Sequence, residues 1–139
     1  MKTLTQKHVN EIWFQVIGAA IEVHKAFGPG LLEKVYEPCL KHELELRGFS
    51  VTKQLHVPVE FKGIILPAKL RFDLLVDDCV VVEIKAVKVM LPIFEAQLLT
   101  YMRLLKKPKG VLLNFCCTNI YKYGQKTFVN EYYRALALE

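Results

Sequence analysis

Arg71-Phe72-Asp73-Leu74-Leu75-Val76-Asp77-Asp78-Cys79-Val80-Val81-Val82-Glu83-Ile84-Lys85 reads as two strands around a turn, and its second half decides the fold. Val80 to Val82 and Ile84 are strongly apolar, as expected of a central strand that is dry on at least one side. Glu83 and Lys85 are two apart, so both emerge from the same face. Charges at the end of such a strand are costly unless they are paired or hold an ion. Asp73 is the natural partner, because residues opposite one another in an antiparallel hairpin share a face. Asp73 and Glu83 are equidistant from Asp78. A three-residue turn at Asp77 to Cys79, or a bulge with the same effect, sets the two carboxylates side by side. A two-residue turn at Asp77-Asp78 sends them to opposite faces.

Two carboxylates with backbone carbonyls and waters suit Mg²⁺ or Mn²⁺, both hard cations. The carbonyl of Ile84, between the two charged residues, is a natural third ligand. A cation there binds a phosphate oxygen and lowers the pKa of a bound water, and Lys85 is placed to orient or stabilise the hydroxide. The same spacing also fits a plain ion pair of Lys85 with Glu83 or Asp73 on a solvated sheet face.

Outward from this stretch, the periodicity predicts one α/β domain over residues 1–139. Ile12, Val16, Ala19 or Ala20, Val23 and Phe27 recur at helical spacing, giving a helix from about 6 to 26 that Gly28-Pro29-Gly30 ends. Leu32, Val35, Tyr36, Cys39 and Leu40 mark a second helix ending at Arg47-Gly48, with Pro38 predicting a kink or break near Tyr36 to Cys39 unless a tertiary contact holds the turn. Val51 to Glu60 and Ile64 to Leu70 read as a hairpin about Phe61-Lys62-Gly63, with Pro58 and Pro67 at edges or bulges. Pro92 opens a third helix to about Lys106, uncapped on its N-terminal side, with Leu98, Leu99, Met102 and Leu105 inward. Val111 to Phe115 follows as a short buried strand. In the tail, Tyr121 and Tyr123 alternate like a strand, Gln125-Lys126 reads as a turn, and the last dozen residues fit strand or helix.

Nineteen Lys and Arg against fourteen Asp and Glu give a formal charge of +5, which favours polyanionic partners. No apolar stretch approaches the roughly 18–20 residues of a membrane helix, so no membrane partner is expected. The start, MKTLTQKHVNEIW, lacks the apolar run of a signal peptide, and the expected compartment is the cytoplasm. Cys39, Cys79, Cys116 and Cys117 show no zinc-ligand spacing and read as reduced thiols. Trp13 and Phe14 are more aromatic surface than one helix face needs, leaving room for a homodimer contact.

Asp73, Glu83 and Lys85 resemble the D…E-x-K core of the PD-(D/E)XK nuclease superfamily. More narrowly, Gly30-Leu31-Leu32-Glu33-Lys34-Val35-Tyr36 looks like the signature of the GxxExxY protein family, a branch of it. Gly28 to Tyr36, Glu43-Leu44, Arg71 to Asp77, Val82 to Val87, Gln97 to Tyr101 and Leu113-Asn114-Phe115 follow in the family's order, covering roughly residues 8 to 116. The resemblance implies a restriction-endonuclease-like core, a central mixed sheet flanked by helices. It implies metal-dependent hydrolysis of nucleic acid, DNA above all, with Asp73 and Glu83 as metal carboxylates and Lys85 as the catalytic lysine. Glu33 is similar to the acidic residue that holds a second metal or a water, although a first-turn glutamate also suits the helix dipole. Gln97 and Tyr101, four apart on one helix face, resemble a Q-x-x-x-Y pair that orients substrate. Arg71, Lys88, Lys106, Lys107 and Lys109 are candidates for phosphate contacts. The competing expectation is a binding module that keeps the fold and holds nucleic acid or protein without cleavage.

Overall fold

The computed structural model describes residues 3–53 and 55–139. Gln54, inside the strand expected from Val51, lies outside them. The elements run α1 (Gln6–Phe27), α2 (Glu33–Leu46), β1 (Val51–Thr52), β2 (Leu55–Phe61), β3 (Ile64–Leu70), β4 (Leu74–Val76), β5 (Val80–Lys85), α3 (Pro92–Leu105), β6 (Lys109–Asn114), a π-helical turn (Ile120–Gly124), β7 (Gln125–Val129) and α4 (Glu131–Arg134). A mixed five-stranded sheet, ordered β1-β4-β5-β6-β7, forms the centre. Within this sheet the described strands pair in parallel only at β5–β6, and α3 is the crossover that a parallel pair requires.

Strand alternation sorts β5 between the two faces. Val80, Val82 and Ile84 pack with α1 and α2 residues such as Val16, Ala20, Tyr36 and Leu40. Val81 packs instead with Leu98, Met102 and Leu112 under α3. Glu83 and Lys85, in step with Val81, therefore stand on the α3 face. Gly110 permits that helix to come close, since a Cβ there would lie 2.6 Å from Met102 Sδ and 2.9 Å from Leu98 Cδ1.

Thr5 caps α1 by accepting the His8 N–H at 3.1 Å, and Gly28, at φ 64°, ends it by donating to the His24 carbonyl at 2.7 Å. Phe27, expected in the apolar stripe, is half exposed at that end of the helix. Pro38 does not break α2, which runs unbroken from Glu33 to Leu46. The tertiary contact is Tyr36: its ring is fully buried and stacks on Phe115 with centroids 4.3 Å apart, and its hydroxyl donates to the Gly28 carbonyl at 2.6 Å. The Leu31 N–H donates to the same hydroxyl at 3.1 Å. Glu43 pairs with Arg47 at 2.7 Å, and Arg47 reaches Gln15 of α1, so this ion pair bridges two helices.

The β2–β3 hairpin stands apart as a two-stranded sheet. Lys62 and Gly63 both take positive φ, as a two-residue turn between twisted strands requires. Pro58 faces Pro67 across it, where the open outer edges leave their missing N–H groups without consequence. The tail departs from its expected reading. Tyr121 and Tyr123 belong to the π-helical turn, capped by the Asn119 side chain, and Gln125-Lys126 opens β7 instead of turning. Strand-like alternation over so short a stretch does not distinguish these states.

Candidate metal-dependent active site

The register of β4 on β5 is the one a three-residue turn gives: Leu74 faces Val82, Leu75 faces Val81 and Val76 faces Val80. Asp77 and Asp78 adopt φ of 46° and 59°, and the Cys79 N–H donates to the Val76 carbonyl at 3.1 Å. The short polar side chains of aspartate tolerate that left-handed region better than most. Continuing the register by one step sets Asp73 opposite Glu83. The named ladder stops at Leu74–Val82, and beyond it the two carboxylates bind across the gap. Glu83 Oε1 accepts the Asp73 N–H at 3.0 Å, and Asp73 Oδ2 accepts the Ile84 N–H at 2.7 Å. One oxygen of each carboxylate is thus held by backbone, and among the described residues no hydrogen bond engages the other.

Glu83 is only 5% exposed, and burial together with the Asp73 carboxylate pushes its pKa up to about 8, against the opposing Asp73 N–H and the Lys85 charge. Asp73 is also raised, chiefly by burial and further by Glu37 and Glu33, while the Ile84 N–H and Lys85 oppose. Tyr101 is raised by burial and by the charges of Glu83 and Asp73, which places its phenol in their field. Lys85 does not form the ion pair that its spacing allowed. Among the described residues no carboxylate pairs with it, and its ammonium rests over the Phe94 ring of α3, 4.5 Å from the centroid. That contact orients a cation without consuming its charge.

Glu33 opens α2 and accepts the Ala86 N–H at 3.2 Å, so it borders the end of β5 from an exposed position. Glu37, one helical turn later, was not singled out by sequence. It raises Asp73 and ion-pairs with Lys53 at 2.7 Å, and its i, i+4 spacing from Glu33 was the available signal. Asn114 was also missed as an individual residue. It is the β6 register partner of Lys85, is buried, and accepts the Val87 and Cys116 N–H groups at 3.1 and 3.2 Å while donating to the Val87 carbonyl at 2.9 Å. With the Phe115 N–H on the Lys85 carbonyl at 2.8 Å, it fixes the chain just past the lysine.

The remaining candidates divide. Arg71 and Lys88 are exposed near the ends of the segments that carry Asp73 and Lys85, and Gln97 is exposed on α3 one turn before Tyr101. Lys106 and Lys107 are not brought to the centre. They follow α3 at the Lys109 end of β6, which pairs with Val80, the far end of β5 from Lys85. Lys107 ion-pairs there with Asp78 at 2.8 Å. Lys109 is no phosphate-facing rim residue: it is buried, donates to Asn10 Oδ1 at 2.7 Å, and lies over Trp13 and Tyr133 at 4.8 and 5.4 Å. Burial lowers its pKa. Trp13 also donates to Thr127 at 2.9 Å, so of the aromatic pair on α1 only Phe14 is left largely exposed.

The donor set fits a hard divalent cation. A buried carboxylate, Glu83, and a half-buried one, Asp73, repel each other and each keep a free oxygen, and the Ile84 N–H points at Asp73. In an extended strand a residue's N–H and C=O leave on the same edge, so the Ile84 carbonyl faces the same gap. Among the described residues no three His, Cys, Asp or Glu side chains form a ready-made cage. Magnesium sites commonly make do with one or two carboxylates and water. No described helix is long and apolar enough to cross a membrane.

No curated protein and no solved structure matches the chain. The family profile of the PD-(D/E)XK nuclease superfamily matches residues 10–127, a span that includes Glu33, Asp73, Glu83, Lys85, Gln97 and Tyr101. The superfamily is one of nucleases that typically use divalent metals. The chain belongs to the PD-(D/E)XK nuclease superfamily.

Proposed function

We propose that this protein is a metal-dependent nuclease of the GxxExxY branch, a single nuclease-like domain that hydrolyses phosphodiester bonds in nucleic acid, with DNA the first substrate to test. The observation that carries the reading is the reciprocal hold of Asp73 and Glu83 on each other's strand, with Lys85 on the same face and paired with no carboxylate among the described residues. The free oxygens of the two carboxylates and the Ile84 carbonyl would hold Mg²⁺ or Mn²⁺. When bound, such an ion supplies polarisation of a phosphate oxygen and acidification of a water for in-line attack.

The chain's own residues supply the rest. Lys85 places a cation where negative charge grows on the phosphate and its attacking oxygen, and Phe94 keeps that ammonium aimed and partly desolvated. Tyr101 and, one turn earlier, Gln97 offer polar groups along α3 to orient the substrate. Glu33 is positioned to hold a water or assist the cation from the α2 side. Arg71 and Lys88 supply positive charge for the flanking phosphates. All four cysteines are free thiols, which suits a reducing compartment such as the cytoplasm.

The test is incubation with single- and double-stranded DNA and RNA in Mg²⁺, Mn²⁺ or EDTA, beside Asp73→Ala and Lys85→Ala. Metal-dependent cleavage should appear in the parent, vanish in Asp73→Ala, and fall on the order of 10²–10³-fold in Lys85→Ala. Binding of nucleic acid that survives in both variants, with no cleavage by the parent, overturns the nuclease reading in favour of a binding module.

A further inference from the structure

A cavity of about 280 Å³ opens on the same sheet face as Lys85, between the start of α3 and the start of β7. Met90, Pro92, Glu95, Leu112, Asn114 and Tyr123 are among its lining residues. At roughly 30 Å³ per water molecule it has room for about nine waters or one planar base with a few waters. Its nearest link to the centre is Asn114, the register partner of Lys85 on the neighbouring strand. Adjacent strands lie about 4.8 Å apart, so wall and catalytic lysine are within the span of one nucleotide.

The lining suits a base more than a free phosphate or a metal ion. Leu112, Met90 and Pro92 give it an apolar floor, whereas a phosphate calls for converging cations. The one lysine on its wall, Lys126, is already paired with Glu95. Tyr123 stands at the rim, 67% exposed, with the Lys122 ammonium 5.7 Å from its ring centroid. An aromatic ring held open at the mouth of an apolar slot, with a cation beside it, is the arrangement that stacks a base while favouring the attached phosphate. Nothing within the described residues stacks on that ring. The π-helical turn is what holds it there. Gly124 is pressed against Asn114, whose carbonyl would lie 2.5 Å from an added Cβ, so the turn is locked to the wall of the cavity.

We propose that this cavity receives the base of the nucleotide flanking the scissile phosphate, with Tyr123 as its stacking platform. The proposal rests on the nuclease reading for its substrate class. Stacking on a single ring accepts any base, so the site sets affinity and the position of the strand on the metal centre without reading sequence.

The test is a titration of ¹⁵N-labelled protein in EDTA with dAMP, dGMP, dCMP and dTMP, beside 2-deoxyribose 5-phosphate. The backbone amides of Gly124 and Lys126 and the side-chain amide of Asn114 should shift and saturate with the nucleotides and stay still with the sugar phosphate. Tyr123→Ala should weaken nucleotide binding on the order of tenfold. In the cleavage assay its kcat/KM should fall by at least a similar factor. Equal shifts from the base-free sugar phosphate, or nucleotide affinity unchanged in Tyr123→Ala, overturn the cavity as a base site. Cleavage without those shifts sinks this proposal and spares the nuclease. Shifts without cleavage of any substrate leave a base site on a protein that is not a nuclease.

Discussion

Glu83→Gln should make the metal-free protein more stable at neutral pH, although it removes a residue of the proposed active centre. The carboxyl is 5% exposed and stands beside Asp73, and its pKa rises from 4.5 to about 8 on folding. A group raised in this way contributes stability that is fully present below its unfolded pKa. That stability is lost as pH climbs through the folded value. At about 1.36 kcal/mol per pH unit, the loss is on the order of 3 kcal/mol by pH 7 and approaches 5 kcal/mol above pH 8. Glutamine keeps an oxygen to accept the Asp73 N–H, now 3.0 Å from Glu83 Oε1, and has no charge to bury. Urea denaturation in EDTA should show parent and variant nearly equal at pH 4.5–5. The variant should gain on the order of 3 kcal/mol by pH 7, rising further toward pH 8. Saturating Mn²⁺ should stabilise the parent and leave the variant where it was. A stability difference that stays flat from pH 5 to 8, or a variant less stable than the parent at pH 8 in EDTA, would refute the assigned burial and repulsion.

Tyr36→Phe removes a buried hydroxyl that donates to the Gly28 carbonyl and accepts the Leu31 N–H. It should cost about 1–3 kcal/mol in urea melts, and it should lower activity by loosening the turn that aims Glu33. Gly124→Ala puts a Cβ 2.5 Å from the Asn114 carbonyl and 2.9 Å from Cys117 Sγ, and backbone cannot swing aside. A loss of about 1–3 kcal/mol is expected, readable as a lower denaturation midpoint. Lys107→Ala breaks an ion pair with an Asp78 that is largely exposed, at the far end of the sheet from Lys85. Its cleavage rate should match the parent's within about twofold, and stability should shift by less than about 1 kcal/mol.

The centre was legible because its geometry is local. Asp73 and Glu83 flank one short turn, and the paired aspartates at 77 and 78 accept the left-handed backbone that sets the register. The apolar run of β5 likewise announced a central strand, and Pro92 announced α3. What sequence misjudged depends on partners far along the chain. Pro38 stays inside α2 because Tyr36 is tied to Gly28 and stacked on Phe115. Lys109 looked like a surface cation, but Asn10, Trp13 and Tyr133, from both ends of the chain, enclose it. Lys107 found a partner in Asp78 across 29 residues. The tail's alternating tyrosines carry no hydrophobic bias strong enough to separate a strand from the π-helical turn they form.

Soaking crystals of the protein with Mn²⁺ and recording its anomalous scattering addresses the central claim most directly. A peak within coordination distance of Asp73, Glu83 and the Ile84 carbonyl, absent from Asp73→Ala crystals, is the predicted result. A Mn²⁺ peak elsewhere, with Asp73 still bound only to the Ile84 N–H and Glu83 only to the Asp73 N–H, would contradict the account.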